Sequence, residues 1–283
     1  MNPKKLFLNV AGGGSRGSIQ LGMLKCVKDL NIVPDEIVCA SVGALNGALF
    51  VQGDLAKLES LWLGIANQQV YNFYPWDVLT KNYLLDSSPL KKTIDSVVDF
   101  KKLRASKIPL HVVVTNLTDW TTESYTQFDL NEEDFKTILF ASASPPMAFA
   151  PVTFRGKTYC DGGIINNMGI SNAVLGGATT IIVLTPTVKE ETPTRNELDM
   201  LNIMTSVPEY CYLDRELTFL DKINQLQAAF PDEVAREIKH ILVRPPAPTG
   251  LSLLDFNYPN KAKWIQYGYD LAKSVLGKID SVN

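Results

Sequence analysis

Ser41 stands in Cys39-Ala40-Ser41-Val42-Gly43, a hydroxyl held between small residues. A serine at a sharp strand-to-helix bend is a candidate nucleophile, because the bend tolerates only small neighbours. The common pattern carries glycine on both flanks, and here Cys39 takes the first place. The same serine would also serve as an ordinary helix N-cap. Upstream lies Gly12-Gly13-Gly14-Ser15-Arg16-Gly17. Gly12, Gly14 and Gly17 fit the G-x-G-x-x-G spacing of a dinucleotide-binding turn. They equally fit a turn that aims bare backbone N–H groups at an anion formed during a reaction.

A dinucleotide site needs an acid at the carboxyl end of the second strand to hold the ribose. Asp35 and Glu36 precede that strand. The ligand-facing end holds Ser41 instead, which favours the oxyanion reading. Arg16, inside the turn, would either brace the loop or attract an anionic group.

A serine nucleophile needs a base. The chain has two histidines, His111 in HVVVT and His240 in HILVR. Both open strand-like runs, whereas chemistry in parallel α/β sheets gathers where strands end. A Ser-His-Asp triad is therefore poorly supported. Asp161, in Tyr159-Cys160-Asp161-Gly162-Gly163, follows a strand-like run and precedes two glycines. It reads as a plain turn aspartate or as the base. As a base its pKa should be raised by burial, while a helix N-terminus under Ser41 would oppose that rise.

These groups require strand ends brought side by side. Apolar runs predict strands at Leu6 to Val10, Ile37 to Ala40, His111 to Thr115, Thr180 to Leu184 and His240 to Val243. Val152 to Phe154 and Thr158 to Cys160 flank Arg155-Gly156-Lys157, a hairpin signal. Helical spacing recurs from Met23 to Leu30, Ala44 to Val51 and Glu132 to Phe140. A last helix, from about Lys261 to Leu276, should present Trp264, Gly268, Leu271, Ala272 and Val275 as one stripe. Strand-helix alternation predicts an α/β fold with a mostly parallel sheet. Residues 1–283 read as one domain with helical insertions near 54–105 and 190–240. The first insertion carries Trp62, Tyr71, Phe73, Tyr74 and Trp76, read as core packing in preference to a lipid-touching lip. The second would cover an acyl tunnel, form a homo-oligomer face or lie solvated.

The 283 residues are 46% hydrophobic and 20% charged, with a formal net charge of −3. That balance suits a globular domain and gives no basic footprint for nucleic acid. Cys26, Cys39, Cys160 and Cys211 show no metal spacing and read as reduced thiols of the cytoplasm. The N-terminal apolar run is too short for a signal peptide. No stretch approaches the roughly 18 to 20 apolar residues of a membrane span. Any contact with lipid would be peripheral, from the water side.

Taken in order, GGGSRG (Gly12–Gly17), CASVG (Cys39–Gly43) and DGG (Asp161–Gly163) resemble the patatin-like phospholipases, a family of lipid acyl hydrolases. ASASPPMAFAPV, Ala141 to Val152, looks like the stretch before that family's aspartate, and DGGIINNMGISNAV extends the likeness. LSLLDF and YGYDLAK are similar to C-terminal ends of bacterial members. The resemblance implies a three-layer domain with a mostly parallel central sheet flanked by helices. It implies Ser41 as nucleophile, Asp161 as base, and an oxyanion hole from the backbone of Gly12, Gly13, Gly14 and Arg16. Gly17, Gly43, Gly162 and Gly163 support these motifs. The implied reaction cleaves fatty acyl esters of lipids at a membrane surface through an acyl-serine, with no metal and no cofactor. Ala11 stands where plant storage members carry an acid. The alternatives are a catalytically inactive lipid-binding or scaffold protein and, less favoured, a dinucleotide binder using GGGSRG.

Overall fold

Side chains alternate across three central strands. Leu6, Leu8 and Val10 of β1 (Leu6–Val10), Ile37 and Cys39 of β2 (Glu36–Ala40), and Leu110, Val112 and Val114 of β3 (Leu110–Asn116) enter one core. Phe7, Val38, Ala40 and Val113 enter a smaller core on the opposite face. A period of two with both faces apolar is what a sheet covered on both sides requires. The structure is a computed structural model that describes residues 4–74, 76, 80–81, 83–187, 215–216, 218–229 and 238–278. Most of the expected insertion at 190–240, and Cys211, lie outside the described residues.

The remaining strands are β4 (Thr121–Tyr125), β5 (Val152–Phe154), β6 (Lys157–Asp161), β7 (Thr180–Leu184) and β8 (Lys239–Val243). The order is β5-β6-β3-β2-β1-β7-β8, with β4 also paired to β3. β3-β2-β1-β7-β8 is parallel, and the β3-β4, β3-β6 and β5-β6 pairs are antiparallel. The β5–β6 hairpin turns at Arg155 (φ 47°) and Gly156 (φ 77°), as its turn residues predict. No sequence signal predicts β4. Its residues, TTESY, offer no apolar alternation, and its acid Glu123 accepts hydrogen bonds from Asn116, Tyr125, Tyr159 and Lys157.

The helices are α1 (Gly17–Asp29), α2 (Val42–Val51), α3 (Leu55–Gly64), α4 (Ser88–Val97), α5 (Phe100–Ala105), α6 (Glu132–Ser142), α7 (Ile170–Leu175) and α8 (Lys261–Leu276). Residues 215–216 and 218–229 are also helical. The larger core carries α1 to α6 and α8, and the smaller carries α7 with Leu220, so the three-layer expectation holds. α1 and α8 cross almost backbone to backbone. A Cβ on Gly22 would fall 1.9 Å from the Ile265 carbonyl oxygen, and one on Gly268 would fall 1.9 Å from that of Ile19. This contact turns α8 slightly from the expected stripe: Ile265, Gly268, Ala272 and Leu276 are buried, whereas Trp264, Leu271 and Val275 only flank the core.

Candidate active site

β2 ends at Ala40 and α2 begins at Val42, so one residue makes the whole bend. That residue is Ser41, at φ 55° and ψ −134°. A non-glycine residue there is strained by about 1–3 kcal/mol, and such strain clusters at functional sites. The bend packs α2 tightly against the end of β1: a Cβ on Gly43 would lie 2.2 Å from the Val10 carbonyl oxygen. Cys39 fits because its side chain enters the larger core beside Gly47, where its thiol donates to the His111 carbonyl at 3.3 Å. Burial pushes that thiol far above its usual range.

The Ser41 hydroxyl donates to Asp161 Oδ2 at 2.7 Å. The other carboxylate oxygen accepts the Gly163 amide at 2.8 Å. Asp161 closes β6 and is 5% exposed. Burial pushes its carboxyl up to about 7, against the Ser41 and Gly163 hydrogen bonds, which pull it down. The glycine after it is obligatory, since a Cβ on Gly162 would sit 2.3 Å from the Val113 carbonyl oxygen.

Ser142, at the end of α6, completes the frame, and its sequence does not single it out. Its hydroxyl donates to the Val113 carbonyl at 2.7 Å and accepts the Ser41 amide at 3.0 Å. It thus ties the bend to the middle of the sheet. The local signal is Ala141-Ser142-Ala143-Ser144, but small polar residues in a helix end give no direction by themselves.

The glycine turn lies across the groove from Ser41 and Asp161. The Gly12 amide donates to Asn167 Oδ1 at 2.9 Å, and the Arg16 amide to the Gly13 carbonyl at 3.1 Å. The amides of Gly13 and Gly14 have no hydrogen-bond partner among the described residues. Gly14 has φ 53°, and a Cβ there would lie 2.1 Å from the Leu253 carbonyl oxygen. Arg16 is a brace: it is buried, and its Nε donates to the Leu251 carbonyl at 2.9 Å. The segment LSLLDF is therefore a strap across the turn. The Ser15 amide donates to the Leu253 carbonyl, and the Tyr71 hydroxyl to that of Leu254. Beneath it, Asn46 joins Gln20, the Gly17 carbonyl and the Trp62 indole N–H, and Gln20 donates to the Ala11 carbonyl.

A groove over the glycine turn, Asp161 and Asn167 meets an apolar cavity of about 70 Å³ at Gly14, Ser41, Pro145 and Leu254. Leu45, Trp62, Val70, Leu90, Ile94 and Phe149 wall the cavity. The aromatic run therefore divides. Trp62 and Tyr71 pack as expected, but Phe73, Tyr74 and Trp76 are exposed by 58%, 49% and 79%.

Both histidines sit at the other end of the sheet. His111 Nε2 lies 2.6 Å from Glu36 Oε2, at the start of β2. His240 is the second residue of β8, 4.0 Å from Asp221. The acids weighed for a ribose are also engaged there: Asp35 accepts the Leu6 amide at 2.7 Å, and Glu36 pairs with Lys5 and His111.

A mostly parallel sheet, a strained serine at the end of β2, a buried aspartate at the end of β6 and a glycine turn beside them define a class of three-layer α/β protein. The patatin-like phospholipase family model matches residues 8–174, and the chain belongs to that family. It is 24% identical to rat patatin-like phospholipase domain-containing protein 7 over 70% of this chain and 15% of that one. It is 23% identical to lysophospholipase NTE1 of Scheffersomyces stipitis over 78% of this chain and 15% of that one. It is 22% identical to human patatin-like phospholipase domain-containing protein 6 over 96% of this chain and 20% of that one. The chain thus spans 15% to 20% of those relatives' lengths. The crystal structure of VipD from Legionella pneumophila superimposes with a TM-score of 0.50 at 15% identity, covering 97% of this chain and 67% of that one. That likeness concerns the fold. No helix among the described residues is long and apolar enough to cross a membrane.

Proposed function

We propose that this chain is a serine acyl hydrolase that cleaves fatty acyl esters of lipids through Ser41 and Asp161. The observation that carries the reading is the 2.7 Å Ser41–Asp161 hydrogen bond at the mouth of an apolar cavity. An ester enters with its acyl chain in the cavity and its carbonyl over Ser41. Asp161 Oδ2 takes the hydroxyl proton as Oγ attacks the carbonyl carbon. The carbonyl oxygen becomes an oxyanion facing the open amides of Gly13 and Gly14. One such donor is worth about 2.7–4 kcal/mol to the transition state. Collapse expels the alcohol, which takes the proton back from Asp161 and leaves an acyl-serine. Water then repeats the sequence, and the fatty acid departs. Of the four amides drawn from the resemblance, those of Gly12 and Arg16 are engaged inside the protein, so their part is to shape the turn.

Two features support a buried aspartate as sole base. A carboxyl near 7 is matched to neutral working pH, and both histidines sit at the other end of the sheet, where His111 is bonded to Glu36. Family membership and relatives that include a named lysophospholipase support a lipid ester as substrate. Purified protein should hydrolyse p-nitrophenyl butyrate, and Ser41→Ala should abolish that hydrolysis while leaving the fold intact. Equal turnover by folded Ser41→Ala would refute the reading.

A further inference from the structure

Asn167 stands between the two turns of the site. Its Oδ1 accepts the Gly12 amide at 2.9 Å, and it would lie 2.7 Å from a Cβ on Gly163. The segment that carries Asn167 is held from two sides. From the inside, Asn9 Nδ2 donates to the Met168 carbonyl at 2.7 Å, and Gly169, at φ 65°, lies against Val38. From the outside, a carboxylate from a later helical segment, beyond the residues 8–174 that match the family, closes the turn. Glu216 Oε1 accepts the Met168 amide at 2.9 Å and Oε2 the Ile170 amide at 3.1 Å.

We propose that Glu216 is a positioning residue for acyl transfer: its carboxylate clamps the Met168 and Ile170 amides, so fixing the segment whose Asn167 side chain holds the Gly12–Gly14 turn. The proposal rests on the serine hydrolase reading above. The chain of contacts runs from Glu216 to the 167–170 backbone, from Asn167 to the Gly12 N–H, and from Gly12 to the next two amides. Glu216 never touches substrate. Without it, the Met168 and Ile170 N–H groups lose their common acceptor and the Asn167 side chain between them and Gly12 is free to drift. A displacement of about 1 Å at a reacting centre costs about 100-fold in rate. Binding of the acyl chain takes place in the apolar cavity, whose walls Glu216 does not reach. The loss should therefore fall on kcat and spare KM.

The test is steady-state hydrolysis of p-nitrophenyl butyrate by wild type, Glu216→Ala, Glu216→Gln, Asn167→Ala and the double variant Glu216→Ala/Asn167→Ala. Glu216→Ala should lower kcat by about 10- to 100-fold with KM near the wild-type value. Glu216→Gln keeps one carbonyl acceptor and should recover part of the loss. The double variant should be no slower than the slower single variant, because both act on one contact chain. If Glu216→Ala does not fold, Glu216→Gln takes its place in the cycle. Wild-type kcat in a folded Glu216 variant, or losses that multiply in the double variant, would overturn the positioning role alone. An inactive wild type, or an active Ser41→Ala, would overturn the hydrolase reading and this proposal together.

Discussion

Ser41 and Asp161, 120 positions apart, meet because β3 pairs with their strands at adjacent residues. Ala40 lies opposite Val113, and Asp161 lies opposite Val114. One strand runs parallel to β3 and the other antiparallel, so they approach from opposite ends and stop side by side at the middle of β3. Ser142 reads the same point of β3, through the Val113 carbonyl. The Ser41–Asp161 contact is thus a matter of strand register. A slip of one residue would turn Asp161 to the opposite face.

As the proposed base, Asp161 should give rate and stability opposite dependences on pH. Only the ionised carboxylate can take the Ser41 proton, so kcat/KM should rise with pH through about 7 and then level off. For stability, the native carboxyl binds its proton more tightly than the unfolded one, whose value is 3.8. The unfolded state releases that proton first, so stability falls as pH rises from about 4 to about 7 and is flat above. The rise from 3.8 to about 7 corresponds to a loss of at most about 4 kcal/mol. Asp161→Asn should lose turnover yet unfold at a higher temperature than wild type at about pH 8, with the gap shrinking toward about pH 4. Thermal unfolding followed by circular dichroism across that range would measure it. A gap that widens in acid would contradict the assignment.

Strain at Ser41 predicts a difference between two inactive variants. Ser41→Ala keeps a Cβ at φ 55°, whereas Ser41→Gly removes it. Relief of about 1–3 kcal/mol of strain, less about 0.5–1 kcal/mol for glycine's greater unfolded freedom, leaves the glycine variant more stable by about 1 kcal/mol. Urea denaturation of the pair gives that difference directly.

The cavity wall predicts chain-length selection. Ile94→Phe places a larger side chain among the residues that face the cavity from α4. Each acyl methylene that can no longer be buried costs about 0.8 kcal/mol, about fourfold in kcat/KM. A series of p-nitrophenyl esters should show butyrate nearly unaffected and long chains falling steeply. A uniform loss across the series would place the acyl chain elsewhere.

The histidines predict a negative result. His111→Ala and His240→Ala break contacts with Glu36 and Asp221 at the entering ends of strands. Each should retain most of the ester hydrolysis when folded. A folded histidine variant as inactive as Ser41→Ala would end the two-residue account.

How far the sequence alone reaches is visible in particular residues. The apolar runs, the bend at Ser41 and the Asp-Gly-Gly turn were legible because each has a local physical signature. The entering position of the histidines followed from where they sit in their runs. β4 was not legible, for its polar residues are satisfied only across the sheet, by Tyr159 and Lys157. Asn167, Ser142 and Glu216 were equally silent. Each acts on a backbone group 29 to 155 positions away, and no spacing rule reaches that far. The sorting of the four candidate amides into engaged and open ones likewise needed the turn in three dimensions.

The central claim is that Ser41 is a nucleophile activated by Asp161. Its most direct test is the rate of covalent labelling by a fluorophosphonate, with the modified residue located by peptide mass spectrometry. Phosphonylation should fall on Ser41 alone, at a rate that rises through about pH 7 and drops at least about 100-fold in Asp161→Asn. Labelling at another residue, or an unchanged rate in folded Asp161→Asn, would contradict it.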